Sequence, residues 1–129
     1  SELESIGDAC YNIARTTNRL INSKEEFIPE QYDHIHQMFE LTDDALTQMN
    51  RILVGHRQDN DVNRSFNIET EINNYRNQLR SQNINDVNDH KYTYAIGTMY
   101  MDIIQECEKL GDYVVNVVEA RMGVRQQDA

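Results

Sequence analysis

Hydrophobic residues recur every three or four positions in four stretches of this chain, which is the spacing of one buried face of an α-helix. The first stretch predicts a helix that runs to about Asn22. The second predicts a helix from Pro29, a residue that a first helical turn tolerates, to a C-cap at Gly55. The apolar positions of the first helix are Leu3, Ile6, Cys10, Ile13, Ala14, Thr17, Leu20 and Ile21.

The two later helices differ in how clearly the sequence defines them. A narrow apolar stripe among many asparagines predicts a third helix from about Asp61 to Ile84, and the polar segment 85–89 predicts the turn that follows. A broad stripe predicts a fourth helix that ends near Gly123. At about 35 residues and ~1.5 Å per residue, the fourth helix would measure roughly 50 Å and extend beyond neighbours of roughly 35 Å.

Four helices joined by short loops indicate one all-α domain over residues 1–129, an antiparallel up-down-up-down four-helix bundle. In this topology the first and fourth helices are neighbours and run in opposite directions. Because the chain begins at Ser1 without methionine and enters a helix almost at once, we expect it to be a fragment of a longer protein.

A polar motif, ExxGDxxxN, occurs twice, once in the first helix and once in the fourth. Its residues are Glu4, Gly7, Asp8 and Asn12 in the first copy and Glu108, Gly111, Asp112 and Asn116 in the second. On a helix the three polar positions lie on one line, so each copy makes a stripe of two carboxylates and an amide. A glycine inside a helix costs about 1 kcal/mol relative to alanine, so we expect another helix or a ligand to approach the backbone at both glycines.

A helical wheel places both carboxylate pairs on the side of their helix that faces away from the apolar stripe. This direction argues against a di-metal centre buried in the bundle, which would need inward Glu residues and a Glu-x-x-His pair. It predicts instead a surface cluster or a face for a partner. The spacing alone is weak support, because acidic pairs such as Glu40 and Asp44 arise by chance in a chain with 22 acidic residues.

Composition excludes several classes of function. A net charge of −10 and a pI near 4.7 disfavour nucleic acids and anionic lipid surfaces as partners, and no apolar run is long enough to cross a membrane. Cys10 and Cys107 are predicted to be reduced thiols, as in a cytoplasmic protein. No catalytic motif is present, and no two of the four histidines have the i, i+4 spacing of a helical zinc site, so we expect no enzyme. The histidines are His34, His36, His56 and His90.

Three segments resemble the PhoU family of phosphate-transport regulators. They are GDACYNIAR and LGDYVVNVVEAR, each preceded by the Glu of the motif, and ETEINNYRNQLR between them. PhoU-like domains also form cytoplasmic tails of bacterial sodium/phosphate cotransporters of the type II-related class. The resemblance implies that helices two to four form one three-helix bundle and that helix one ends a preceding bundle.

The resemblance also implies a regulatory role at the cytoplasmic face of the inner membrane, with a phosphate transporter membrane domain or a sensor protein as partner. It further implies that iron or zinc binds at Glu4, Asp8, Glu108 and Asp112, with Asn12 and Asn116 in support. Carboxylates are also suitable ligands for manganese. We expect a homodimer through helix one and the overhang of helix four. The alternative is a structural or dimerisation bundle that binds no metal and regulates nothing.

Overall fold

The computed structural model describes residues 1–55 and 60–123, and these residues form four α-helices and no β-strand. The predicted all-α four-helix architecture is confirmed. In chain order the helices are α1 (Glu2–Ser23), α2 (Pro29–Leu53), α3 (Asp61–Asn88) and α4 (Tyr94–Met122). None of them is long and apolar enough to cross a lipid bilayer.

Local chemistry explains most of the helix ends. The hydroxyl of Ser1 caps α1 by accepting a hydrogen bond from the backbone N–H of Glu4 at 3.3 Å, and Thr93 caps α4 in the same way. Pro29 is the first residue of α2, as predicted. Gly123 follows α4 with φ 67, a left-handed conformation that glycine adopts without strain.

The connection between α3 and α4 lies further along the chain than the sequence predicted. α3 continues through the polar segment to Asn88, and α4 begins only at Tyr94. Tertiary contacts override the local turn preference, because Val87 packs against Gly97 and the hydroxyl of Tyr92 donates a hydrogen bond to Asn83 at 2.8 Å. The two helices therefore have 28 and 29 residues, and the predicted length of about 35 residues for the fourth helix is wrong.

α4 is the central element of the structure, since it packs against each of the other three helices. α2 and α3 also pack against each other, so α2, α3 and α4 form a three-helix bundle. α1 packs mainly on α4. The two run in opposite directions, because Asn116 contacts Glu2 at one end while Arg19 contacts Asp102 at the other. The predicted antiparallel pairing of the first and fourth helices is confirmed.

The different number of neighbours determines how much of each helix is buried. α4 buries residues around most of its circumference, including Tyr100, Cys107 and Val118. α1 buries only Ala9, Thr16 and Leu20. Five of the apolar positions predicted for the α1 core are instead exposed, because α4 is the main neighbour of this helix; they are Leu3, Cys10, Ala14, Thr17 and Ile21.

Candidate functional site

The first copy of the motif lies on the open surface of α1. The side chain of Glu4 is 82% exposed, and its nearest charged partner is the amino terminus of Ser1 at 3.6 Å. Asp8 is also exposed. A Cβ atom added to Gly7 would meet nothing within 4 Å. These carboxylates point away from the core as predicted, but no part of the described chain approaches Gly7.

The second copy is enclosed by α3, and the predicted outward direction of its carboxylates is wrong. The side chain of Glu108 is only 15% exposed, and its Oε1 atom lies 4.0 Å from Nη2 of Arg76 on α3. Asp112 is half-buried, within hydrogen-bonding reach of Glu108 and of Glu69 on α3. The helical wheel gave the wrong direction because α3 covers the side of α4 that lies opposite its most apolar line.

Gly111 has the close neighbour that the motif predicted. A Cβ atom at this position would lie 3.2 Å from Cδ1 of Ile72, which is tighter than ordinary van der Waals contact. The glycine therefore lets α3 approach the backbone of α4 beside the carboxylates. The expectation of close approach is confirmed at Gly111. At Gly7 no described helix approaches, and approach by a ligand or partner stays a prediction.

Three carboxyl groups, those of Glu69, Glu108 and Asp112, share the space between α3 and α4, and we call them the α3–α4 acidic cluster. Burial raises the pKa of Asp112 from 3.8 to about 7, and the charge of Glu108 and hydrogen bonds with Glu69 and Glu108 add to this shift. At neutral pH the cluster therefore holds a proton part of the time. The guanidinium of Arg76 supplies a positive charge, and its Nη1 also donates to Gln105 at 3.0 Å.

The two motif asparagines lie at the contact between α1 and α4, and their support of the carboxylates stays a prediction. The side-chain amide of Asn116 donates to Glu2 at 3.3 Å, which joins α4 to the first turn of α1. Asn12 lines a groove of about 400 Å³ between the same two helices. Its charged lining is mixed, because Arg19 pairs with Asp102 and Lys109 pairs with Glu106, each at 3.4 Å.

The four predicted metal ligands lie on two separate surfaces. Glu4 and Asp8 face solvent on α1, whereas Glu108 and Asp112 face α3. Within residues 1–55 and 60–123, no group of three or more His, Cys, Asp or Glu side chains is arranged to hold one ion. The carboxylates therefore do not fit a single shared site, and metal binding by them stays a prediction.

The other candidate residues behave as ordinary surface or core groups. His36 pairs with Glu40 at 3.1 Å on the exposed face of α2. His56 lies outside the described residues. Both cysteines are free; Cys10 is exposed, and burial raises the pKa of the Cys107 thiol to about 12. A thiol of this kind stays protonated and unreactive at neutral pH.

Sequence reasoning missed Glu69 and Arg76, which complete the α3–α4 acidic cluster. Both residues are in the middle segment that resembles PhoU, and a spacing of seven residues puts them on one face of α3. That spacing could have marked the face of α3 that meets the second motif copy. This face was missed because the apolar stripe of α3 is weak.

Comparisons of the chain with protein-family models, with curated proteins and with solved structures find no match. The resemblance to PhoU thus stays a prediction that depends on the three quoted segments.

Proposed function

We propose that this chain is a PhoU-like regulatory domain which docks on the cytoplasmic face of a phosphate transporter, or on an associated sensor, and modulates phosphate uptake. The proposal is supported by the arrangement of the helices, since α2, α3 and α4 form one three-helix bundle and α1 is an additional helix on α4. This is the division of helices that the resemblance implies.

The exposed first motif copy is the observation that carries the docking proposal. Glu4 and Asp8 sit on a surface that no other described helix covers, in a chain of net charge −10. Cytoplasmic loops of membrane proteins are enriched in Lys and Arg, so they complement this surface in charge. Contact with such loops would place the domain at the cytoplasmic face without inserting it into the bilayer.

Metal is not required for docking by charge complementarity. Iron, manganese or zinc at Glu4 and Asp8 would need further ligands from the partner, because two carboxylates alone leave most coordination positions unfilled. Elemental analysis of the purified protein, together with its melting temperature with and without chelator, tests metal binding separately from docking. A bound ion would raise the melting temperature by linkage.

Phosphate uptake by inside-out membrane vesicles that contain the transporter of the source organism tests the docking proposal. We expect added protein to bind the vesicles and change the transport rate, and both effects to weaken with salt because the contact is between exposed charges. The double variant Glu4→Gln/Asp8→Asn should lose most of this binding.

A matched control is available on α2. Glu40→Gln/Asp44→Asn removes the same two charges at the same spacing from another exposed helix face, and binding should be retained. Equal loss of binding in both double variants would show that the net charge of the protein, rather than this surface of α1, explains the contact. No binding by the wild-type protein would leave the alternative, a structural or dimerisation bundle, which the exposed apolar residues of α1 favour.

A further inference from the structure

The groove of about 400 Å³ between α1 and α4 is lined by polar side chains, and we call it the α1–α4 groove. Each of the two helices contributes four of its eight lining residues, and all eight are polar or charged. Its volume is in the range of small-molecule sites. A lining of this kind does not suit lipids or hydrophobic peptides, because little apolar surface would be removed from water on binding.

Three cationic side chains line the α1–α4 groove. Arg15 and Arg19 are four residues apart on one side of α1, and Lys109 belongs to α4. Arg19 and Lys109 each have a carboxylate at 3.4 Å, but both cations are more than half exposed, so these ion pairs contribute little and a ligand can replace them. Arg15 has no carboxylate within 4 Å in the described part of the chain, and its guanidinium lies 5.9 Å from the ring centre of Tyr11. The N–H donors of Arg15 are therefore available to an anion in the groove.

A buried hydroxyl group without a partner also lines the α1–α4 groove. Thr16 is only 5% exposed, and four other helical threonines donate their hydroxyl to the carbonyl group four residues earlier. The Thr16 hydroxyl makes no hydrogen bond to any residue that the structure describes, and a buried polar group left in this state costs free energy. Gln105 adds an amide donor, since its Oε1 atom accepts from Nη1 of Arg76 at 3.0 Å. An acceptor atom in the groove would satisfy both residues.

Two carboxylates complete the charged lining and indicate what else the ligand carries. Asp102 and Glu106 only accept hydrogen bonds, so they repel a bare anion but suit the hydroxyl groups of a larger molecule. With three cations and two carboxylates the groove still has a net positive charge, in a chain of net charge −10. The lining therefore fits a ligand that combines one strongly anionic group with several hydroxyl groups.

We propose that the α1–α4 groove binds a small phosphomonoester with a hydroxylated body, such as a sugar phosphate. The phosphoryl group accepts hydrogen bonds from Arg15, Arg19 and Thr16, and the hydroxyl groups donate to Asp102 and Glu106. A phosphoryl group fits these donors better than a carboxylate does, because it has three acceptor oxygens and nearly two negative charges at pH 7. Acidic residues elsewhere on the surface do not prevent binding, since salt at about 0.1 M screens charges beyond ~10 Å. The proposal is independent of docking and of phosphate transport.

Titration of the wild-type protein with ribose 5-phosphate, followed through amide chemical shifts in NMR spectra, tests the site and the class of ligand. We expect saturable shifts at the residues of α1 and α4 that line the groove. Inorganic phosphate and free ribose should each bind at least about tenfold more weakly, because each supplies only one of the two groups that the lining recognises. Equal affinity for ribose 5-phosphate and inorganic phosphate would overturn the hydroxylated ligand. No saturable shift at the groove would overturn the site.

Three variants separate binding from folding and from net charge. Thr16→Val keeps the shape of the side chain and removes the unpaired hydroxyl, so it should weaken ribose 5-phosphate binding at least about threefold without lowering the melting temperature. Arg15→Gln removes an exposed charge and should weaken binding at least about tenfold. Arg80→Gln removes the same charge from an exposed position of α3, and its binding should equal that of the wild type. Equal weakening by the two arginine variants, or unchanged binding by Thr16→Val, would overturn the proposal.

Discussion

The two copies of the ExxGD motif are the same in sequence and opposite in environment. In the first copy Glu4 and Asp8 face solvent and Gly7 has open space beside it. In the second, Glu108 is enclosed by α3 and Gly111 lies against Ile72. α1 has one main neighbour whereas α4 has three. The number of neighbouring helices, rather than the motif, decides whether its carboxylates are exposed or buried.

This comparison also separates two roles for one local sequence. The exposed copy can meet a partner without any rearrangement of the bundle. The buried copy is part of the α3–α4 interface, where its charges affect folding stability before they affect binding. Substitutions at equivalent positions should therefore change different properties of the protein, and matched pairs of variants can measure the difference.

The largest difference is expected for the arginines that contact the two faces of α4. Arg76→Ala should destabilise the protein by about 2 kcal/mol, because it leaves the half-buried α3–α4 acidic cluster without its cation. Arg19→Ala should cost less than about 0.5 kcal/mol, since its ion pair with Asp102 is exposed. Urea denaturation of both variants measures the two losses. Equal losses would show that α3 and α1 enclose α4 to the same degree.

The second expected difference is in the dependence of stability on pH. The pKa of Asp112 is raised from 3.8 to about 7, so the folded protein holds a proton on this group that the unfolded chain has lost. The stability that this proton provides is complete below pH 4 and is lost as the pH rises through about 7. We expect a decline of about 1 kcal/mol, a reduced value because solvent screens a half-buried carboxyl group.

Asp112→Asn tests this decline, because asparagine keeps the size of the side chain and cannot ionise. The variant should be more stable than the wild type at pH 8 and should lack the part of the pH dependence that Asp112 causes. Asp8→Asn, the equivalent change in the exposed copy, should leave the wild-type profile unchanged within about 0.5 kcal/mol. If stability depends on pH in the same way in Asp112→Asn and in the wild type, Asp112 is not the titrating group.

Sequence periodicity predicted the parts of the fold that depend on local preference. It identified four helices, the start of α2 at Pro29, and the antiparallel pairing of α1 with α4. It misplaced the end of α3 because Asn and Asp residues favour turns, whereas Val87 and Asn83 make tertiary contacts that favour the helix. A turn preference of this kind contributes little to the free energy of folding, so tertiary packing outweighs it.

The candidate site was predicted only for its exposed half. A helical wheel finds the most apolar line of a helix, but it does not say how many neighbours the helix has. It therefore gave the correct direction for Glu4 and Asp8 and the wrong one for Glu108 and Asp112. The partners Glu69 and Arg76 could not be found by this means, because they belong to the helix with the weakest apolar stripe.

The third expected difference is between the two glycines, and it tests the comparison most directly. Gly7→Ala should stabilise the monomer by about 1 kcal/mol, because alanine favours the helix and nothing lies within 4 Å of the added carbon. At Gly111 the same change should give no gain or a loss of up to about 1 kcal/mol, because the added carbon presses on Cδ1 of Ile72.

A double-variant cycle identifies the cause of this difference between the glycines. Ile72→Val removes Cδ1, the atom nearest to the added carbon, so Gly111→Ala should be more favourable in that background than in the wild type. Thermal unfolding measures all four stabilities. If Gly111→Ala stabilises the wild type as much as Gly7→Ala does, the close approach of α3 imposes no constraint and the contrast between the two copies is limited to their charges.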